Sequence, residues 1–301
     1  MGWRSLLISR PAKLQRVHFS LAIVQEETVT IPFEDIALIV LNHREITLTH
    51  PVLSACADYG IALYSTGDNH HHNGVHLAFL SHSRSTRLLR QQLGLTKPRS
   101  KQLWAQIVQR KIENQAQCLS LLARPEEAKA LRSMLSRVRS GDPDNIESQA
   151  AARYFSALWG SHFHRQQTCW QNAALNYGCA VLRGAIARGL VAHGFHPSLG
   201  LWHSNEQNAF NLADDLIEPF RPLIDLHVVQ QGLKPPDTAL SPEDKAGLIA
   251  LMNVDLQMPE GRMNTLSAIE YCIESLARSY MGTEALDLPS LIGLNPHPPS
   301  F

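Results

Sequence analysis

The sequence predicts an α+β fold: a small β-rich N-terminal domain over residues 1–80, a larger all-α domain over 84–288, and an extended or disordered tail over 289–301. Three observations carry this expectation. Short runs rich in β-branched residues, with breaks between them, fill the first eighty positions. From Ser81 onward apolar residues recur at three- and four-residue spacing. The final stretch, "LPSLIGLNPHPPSF", is proline-rich.

The strand candidates are "SLLIS", "RVHFSLAIVQ", "ETVTIPF", "IALIVLN" and "EITLTH". "HPVLSACADYG" then reads as a helix, with Pro51 near its start and Gly60 past its end. "IALYST" returns as a strand, and the turn "GDNHHHNG" leads into "VHLAFL". His70, His71, His72 and His76 in that turn read as a solvated hairpin tip rather than a metal cluster. The helical patterns are "STRLLRQQLGL", "SKQLWAQIVQRKIENQAQCLSLLA", "PEEAKALRSMLSRVRS", "NIESQAAARYFSALWGSHF", "QNAALNYGCAVLRGAIARGLVAHGF", "PEDKAGLIALMNV" and "MNTLSAIEYCIESLARSYMG". The change of period places a boundary near residues 80 to 84.

With 301 residues, 44% hydrophobic and 18% charged, the chain has the composition of a globular protein with a substantial core. Its five cysteines are odd in number and form no CxxC pair, which argues against a zinc ribbon or a disulfide framework and for a reducing, cytoplasmic setting. No run approaches eighteen apolar residues and the N-terminus lacks a long apolar core, so no membrane association is expected. The net charge is zero, yet residues 81–140 hold thirteen Lys/Arg against three Asp/Glu, while 201–301 hold five against fourteen. That asymmetry suits a protein that carries a polyanion on one surface and a cation on another. Arg84, Arg87, Arg90, Lys97, Arg99 and Lys101 are the candidate contacts for that polyanion.

The stretch "LWHSNEQNAFNLADDLIEPFR", residues 201–221, sets His203, Glu206, Asp214, Asp215 and Glu218 among apolar residues. Buried carboxylates are costly unless paired, hydrogen-bonded or bound to metal, so the stretch asks for a cation. His203 and Glu218 would stand about 22 Å apart in one unbroken helix, at roughly 1.5 Å per residue, too far to share an ion. The polar run Ser204, Asn205, Asn208, Asn211 predicts a bend, with a helix starting near Asn208 or Asn211 and His203 folded back over it. Pro219 should interrupt that helix just past Glu218. Asp214 shares a helical face with Glu218 and is the candidate supporting carboxylate or ligand of a second metal, whereas Asp215 is expected to point away and pair with Arg221. Trp202, beside His203, is the one tryptophan worth testing for contact with the polyanion.

"GDPDNIESQAAARYFSALWG" adds a third possible ligand, Glu147, although Asp144 and Glu147 also read as a D-x-x-E capping box. A β-rich N-terminal domain, then a helical domain with E-x-x-A-A-x-x-Y-F, then "HPSLGLWHSNEQNAFNLADDLIEPFRP", resembles the CRISPR-associated adaptation integrases, over nearly the whole chain. The resemblance implies a metal-dependent DNA endonuclease that inserts new spacers into a CRISPR array by transesterification with a 3′-hydroxyl. It places the metal ligands, and with them the catalytic site, at Glu147, His203 and Glu218, and implies Mg²⁺ or Mn²⁺ as cofactor. Glu218 stands where many members have aspartate, as in the type II-like branch. The resemblance further implies double-stranded DNA, both prespacer fragments and CRISPR repeat, as substrate, a homodimer, and a small ferredoxin-like CRISPR-associated partner subunit.

The ligand chemistry agrees with that implication. Two carboxylates and one imidazole suit a Lewis acid that polarises a phosphate and favours a deprotonated oxygen nucleophile. Exchanging one phosphodiester for another needs no ATP, and the chain has no G-x-x-x-x-G-K-[ST] loop. Two other readings compete. "DDLIE" matches the aspartate-rich motif of all-helical, Mg-dependent prenyl diphosphate enzymes, but the chain has neither their second acidic motif nor their helical N-terminus. A non-catalytic DNA-binding scaffold would bind DNA without any response to divalent metal.

Overall fold

The computed structural model describes residues 4–67, 72–79, 82–83, 85–235, 238–282 and 284–296. The N-terminal region is built from β1 (Arg4–Ile8), β2 (Ala12–Val17), β3 (Ser20–Val24), β4 (Thr28–Pro32), β5 (Ile36–Leu41), β6 (Ile46–Leu48), α1 (His50–Asp58), β7 (Ala62–Thr66) and β8 (His72–His76). Two four-stranded sheets result, ordered β1-β5-β7-β8 and β4-β3-β2-β6. β1, β5 and β7 run parallel, and β8 closes that sheet antiparallel to β7. Leu14, Leu21, Phe33, Ile36, Ile39, Val52 and Cys56 form one core of this region.

"RVHFSLAIVQ" reads as a single strand in the sequence, but the chain reverses inside it. His18 takes φ 52°, and β2 and β3 pair antiparallel from Val17–Ser20 back to Lys13–Val24. Because the pattern Arg16, Val17, His18, Phe19 contains no glycine or proline, only the left-handed histidine marks the turn.

The second region runs through α2 (Ser85–Leu93), α3 (Lys97–Leu121), α4 (Pro125–Arg132), α5 (Ile146–Trp159), α6 (Trp170–Ala192), α7 (Asn211–Leu216), α8 (Arg221–Gln230), α9 (Pro242–Ala250), β9 (Val254–Met258), β10 (Gly261–Asn264), α10 (Thr265–Met281) and β11 (Ser290–Pro296). Its helices fall where periodicity and the polar run predict them, except α8, which no predicted helical stretch covers. It is not purely helical, because β10-β9-β11 make a small antiparallel sheet, and residues 290–296 of the expected tail form its third strand. Proline did not exclude a strand here: Pro289 precedes β11 and Pro296 ends it, so neither interrupts the ladder interior. Asn114 on α3 fastens the strand, accepting from Leu291 N and donating to Pro289 O.

The two regions share a core. Ala37, Leu38, Val40, Ala62 and Tyr64 face the helices and join their apolar cluster, so β5 is buried on both faces and reads as a continuous apolar run. Tyr64 packs closely on α6, where a Cβ placed on Gly184 would lie 1.8 Å from Tyr64 Oη. Arg188, also on α6, donates to Gly60 O at 2.7 Å and pairs with Glu270 of α10 at 2.8 Å. Gly184→Ala should therefore lower stability by about 1–3 kcal/mol through overpacking. Chemical denaturation of the variant checks this, and an unchanged midpoint would mean that Tyr64 is free to move away.

Candidate metal centre

Glu147 enters the site from the first turn of α5. The helix starts after Asn145, which sits in the left-handed region at φ 51°, and it is capped from a distance: Asp142 accepts from Ile146 N through Oδ1 and from Glu147 N through Oδ2, both at 2.9 Å. The D-x-x-E capping box, the competing reading of Glu147, is not formed. Asp144 instead pairs with Arg139 at 2.7 Å, because the left-handed turn at Asp142 and Asn145 carries its side chain outward. Glu147 is thereby released from capping, and its Oε1 meets Lys111 Nζ of α3 at 2.5 Å.

Glu218 comes from the opposite direction. Helix α7 starts at Asn211, as the polar run predicts, and ends at Leu216; the chain turns through Ile217–Phe220 and restarts as α8 at Arg221. Pro219 lacks the N–H that would continue the ladder, and its carbonyl is held by Asn114 Nδ2 at 2.7 Å. Glu218 is buried in this break. Its Oε1 accepts from Arg221 Nη1 at 2.8 Å, and its Oε2 forms a short ion pair with the same Lys111 Nζ that Glu147 contacts. Burial alone would push this carboxyl up, but Lys111 and Arg221 outweigh it and hold it at about 2. Arg221 is in turn pushed up, chiefly by Glu218.

His203 lies on the loop before α7, folded back as the distance argument requires. The fold-back is organised by Asp215, which is fully buried. One carboxylate accepts from the backbone N–H groups of Leu201 (2.5 Å), Trp202 (3.1 Å) and His203 (3.1 Å) and meets His203 Nδ1 at 2.7 Å. The expected pairing of Asp215 with Arg221 is thus not made; three converging amides claim the carboxylate first. With Nδ1 donating to Asp215, the His203 Nε2 lone pair is left for a ligand. The hydrogen bond to Asp215 also raises the imidazole above its ordinary value, against the opposing effect of burial. Gly200 is what lets the loop pass, since a Cβ there would lie 2.3 Å from His203 O.

His203, Asp214, Glu218, Arg221, Arg183 and Arg165 line one cavity of ≈ 330 Å³. Asp214 is on the predicted face but is held by Arg183 through two contacts of 2.8 Å and by Asn208 Nδ2 at 2.7 Å, so it orders the loop. Lys111 brings Glu147 and Glu218 together at one point. His203 shares the cavity with Glu218 but does not complete a cluster with both: among the described residues, no three His, Cys, Asp or Glu side chains stand close enough to hold a metal. The donor chemistry nonetheless fits a hard divalent cation, because two carboxylates already converge on a positive charge.

The sequence reading missed Lys111 and Asn114. Both lie on the buried face of α3 with Trp104, Ile107, Val108, Ile112 and Leu119. A lysine and an asparagine in register with an apolar stripe were the signal available.

The basic candidates divide. Arg84, with His70 and His71, lies outside the described residues. Arg87, Arg90, Lys97 and Lys101 are exposed on α2 and α3. Arg99 is not on that surface: its guanidinium donates to Ser279 O at 3.2 and 3.1 Å and to Glu284 O, securing the end of α10. Trp202 is 44% exposed and stacks on buried Trp104, centroids 5.7 Å apart, which braces the loop that carries His203. His76 contacts Leu53 O through Nε2 at 3.1 Å, consistent with a structural role.

The family model described as "CRISPR associated protein Cas1" matches residues 6–232. The CRISPR-associated endonuclease Cas1 of Neisseria meningitidis serogroup C (strain 8013) is 42% identical over 301 residues, covering 98% of each chain. Among solved structures, a casposase bound to integration product superposes with TM-score 0.76 at 16% identity, over 94% of this chain and 92% of that one. A Cas6-RT-Cas1–Cas2 complex superposes with TM-score 0.71 at 18% identity, over 93% of this chain and 35% of that one. Family match and near full-length similarity together show that the chain belongs to the CRISPR-associated Cas1 family.

Proposed function

We propose that the chain is a metal-dependent DNA endonuclease and integrase that joins foreign DNA fragments into a CRISPR array as new spacers. The observation that carries this reading is the convergence of Glu147 and Glu218, from two separate elements, on one cation position, with the Asp215-oriented imidazole of His203 lining the same cavity as Glu218. Glu147, Glu218 and His203 Nε2 would hold Mg²⁺ or Mn²⁺, which when bound supplies a Lewis acid for the phosphate and lowers the pKa of a coordinated hydroxyl. In the exchange a 3′-oxygen forms a new bond to phosphorus while the bridging P–O bond of the target strand breaks, leaving a new 3′-hydroxyl. One phosphodiester replaces another, so no external energy source is needed.

The chain's own residues do the positioning. Asp215 fixes the ring plane of His203 and keeps the Nε2 lone pair free. Arg165, Arg183 and Arg221 give the cavity a positive lining that attracts phosphate. The casposase bound to integration product supports DNA as substrate and the Cas6-RT-Cas1–Cas2 complex supports a CRISPR-associated partner subunit; double-stranded DNA, a small ferredoxin-like form for that partner and a homodimer belong to the proposal itself. Five free cysteines, and no described helix long and apolar enough to cross a membrane, accord with a cytoplasmic setting. The prenyl diphosphate alternative loses its basis, since Arg183 holds Asp214 while His203 and three amides hold Asp215.

Three outcomes test the proposal. Glu147→Ala, His203→Ala and Glu218→Ala should each abolish Mn²⁺-dependent joining of 3′-hydroxyl duplexes to a plasmid carrying a CRISPR array, whereas Asp215→Asn should reduce it about 10- to 100-fold. Normal joining by any of the three alanine variants removes that residue from the site, and DNA binding indifferent to metal, with no joining, would favour a scaffold. Asp142→Ala should cost about 1 kcal/mol of stability, as a lost helix cap does, while Asp144→Ala should leave the melting curve in place. For DNA binding, replacing Arg87, Arg90 and Lys97 together with alanine should flatten the slope of log affinity against log salt by up to about 3, since each phosphate contact adds roughly 0.9. An unchanged slope would mark this surface as merely solvated, and Arg99→Ala should lower stability rather than the slope.

A further inference from the structure

The cation that joins Glu147 to Glu218 is not a surface lysine caught between two acids. Lys111 is 8% exposed, on the inner face of α3, and its single ammonium serves two carboxylates at once. Elsewhere in the chain the part-buried acid Glu270 has an arginine of its own, at 2.8 Å. Glu218 has one too, Arg221, so Lys111 is not needed to neutralise Glu218 by itself. What it neutralises is the pair. Without a charge at that point, two carboxylates from α5 and from the α7–α8 turn would face each other in a low-dielectric setting, where like charges repel strongly.

The count of charges shows what a second cation would do. With Lys111 in place, Glu147, Glu218, Lys111 and Arg221 are together neutral. A divalent ion seeking the same oxygen atoms, Glu147 Oε1 and Glu218 Oε2, would have to displace the ammonium, because Nζ already contacts both. Glu147, Glu218, Arg221 and the ion would then carry a net charge of one positive unit, a charge suited to a phosphodiester anion. A lysine can make that exchange, for its ammonium is a point charge on a flexible four-carbon stem, unlike the planar fork of arginine.

We propose that Lys111 is a built-in counter-cation, which holds the Glu147–Glu218 pair together in the metal-free protein and competes with the divalent ion for the same two carboxylates. This rests on the metal-centre reading above. It makes Lys111 a positioning residue that sets how readily metal enters, and gives α3 a direct part in the site.

The test measures Mn²⁺ binding by calorimetry, and thermal melting in EDTA and in Mn²⁺, on the full-length chain. It uses the wild type, Lys111→Met, Lys111→Gln and Glu147→Gln. Both Lys111 variants should melt below the wild type in EDTA, gain more from Mn²⁺ than the wild type does, and bind Mn²⁺ at least about tenfold more tightly, a difference of about 1.4 kcal/mol. Equal affinity and equal metal-induced shifts in wild type and Lys111 variants, with Glu147→Gln alone losing Mn²⁺, would overturn the role of Lys111 and leave the metal centre standing. Unaltered Mn²⁺ binding by Glu147→Gln would overturn both. If neither Lys111 variant folds, acetylation of wild-type Lys111 by acetic anhydride, with acetate as the leaving group, followed by peptide mass spectrometry, decides. Mg²⁺ should raise its labelling several-fold, and labelling indifferent to Mg²⁺ would overturn the proposal.

Discussion

Glu147 and Glu218 reach one point from two different elements, and two carboxylates cannot stay there without a positive charge between them. The rest of the site follows from that constraint. α3 supplies the charge through Lys111 and, one helical turn along the same face, supplies Asn114, which holds the carbonyl of Pro219 beside Glu218. A single rigid helix therefore sets both the position of the two acids and the shape of the chain break that delivers one of them. Arg221, the first residue of α8, completes the local neutrality, and Lys111 and Arg221 together hold the Glu218 carboxyl below the ordinary carboxylate range against its burial.

His203 obeys a separate constraint. Its loop could not fold back over α7 without a group to receive three inward-pointing amides, and Asp215 accepts all three along with the imidazole. Two adjacent aspartates in "ADDL" thus do different work. Asp214 faces the cavity and binds Arg183; Asp215 is buried and organises the loop. The N-terminal sheets contribute by packing: Tyr64 against Gly184 and Arg188 against Gly60 fix α6, whose Arg183 lines the cavity.

Much of this was legible from residue order. Periodicity found the helices other than α7 and α8, the asparagine run located the start of α7, and Pro219 marked its end. The distance argument required His203 to fold back. What stayed hidden has physical reasons. The choice between Asp214 and Asp215 depends on where three backbone amides point, which one-dimensional spacing does not encode. The cap of α5 falls on Asp142 because two left-handed residues reshape the turn. Arg99 reads as a DNA contact until the end of α10 is placed beside it, 180 residues later in the chain. The strand β11 escaped because its partner β9 lies across α10, so its pairing is non-local.

An acid at the start of α5 and an acid in a proline break meet at Lys111, and the latter shares a cavity lined by three arginines with a histidine on an aspartate-held loop. The central claim is that this convergence is a metal centre. Anomalous scattering at the manganese edge, from crystals of the full-length chain grown with Mn²⁺, tests it most directly. The predicted result is one peak coordinated by Glu147, Glu218 and His203 Nε2. A manganese peak elsewhere, or no peak from protein that still joins DNA strands in the same Mn²⁺ concentration, would contradict it.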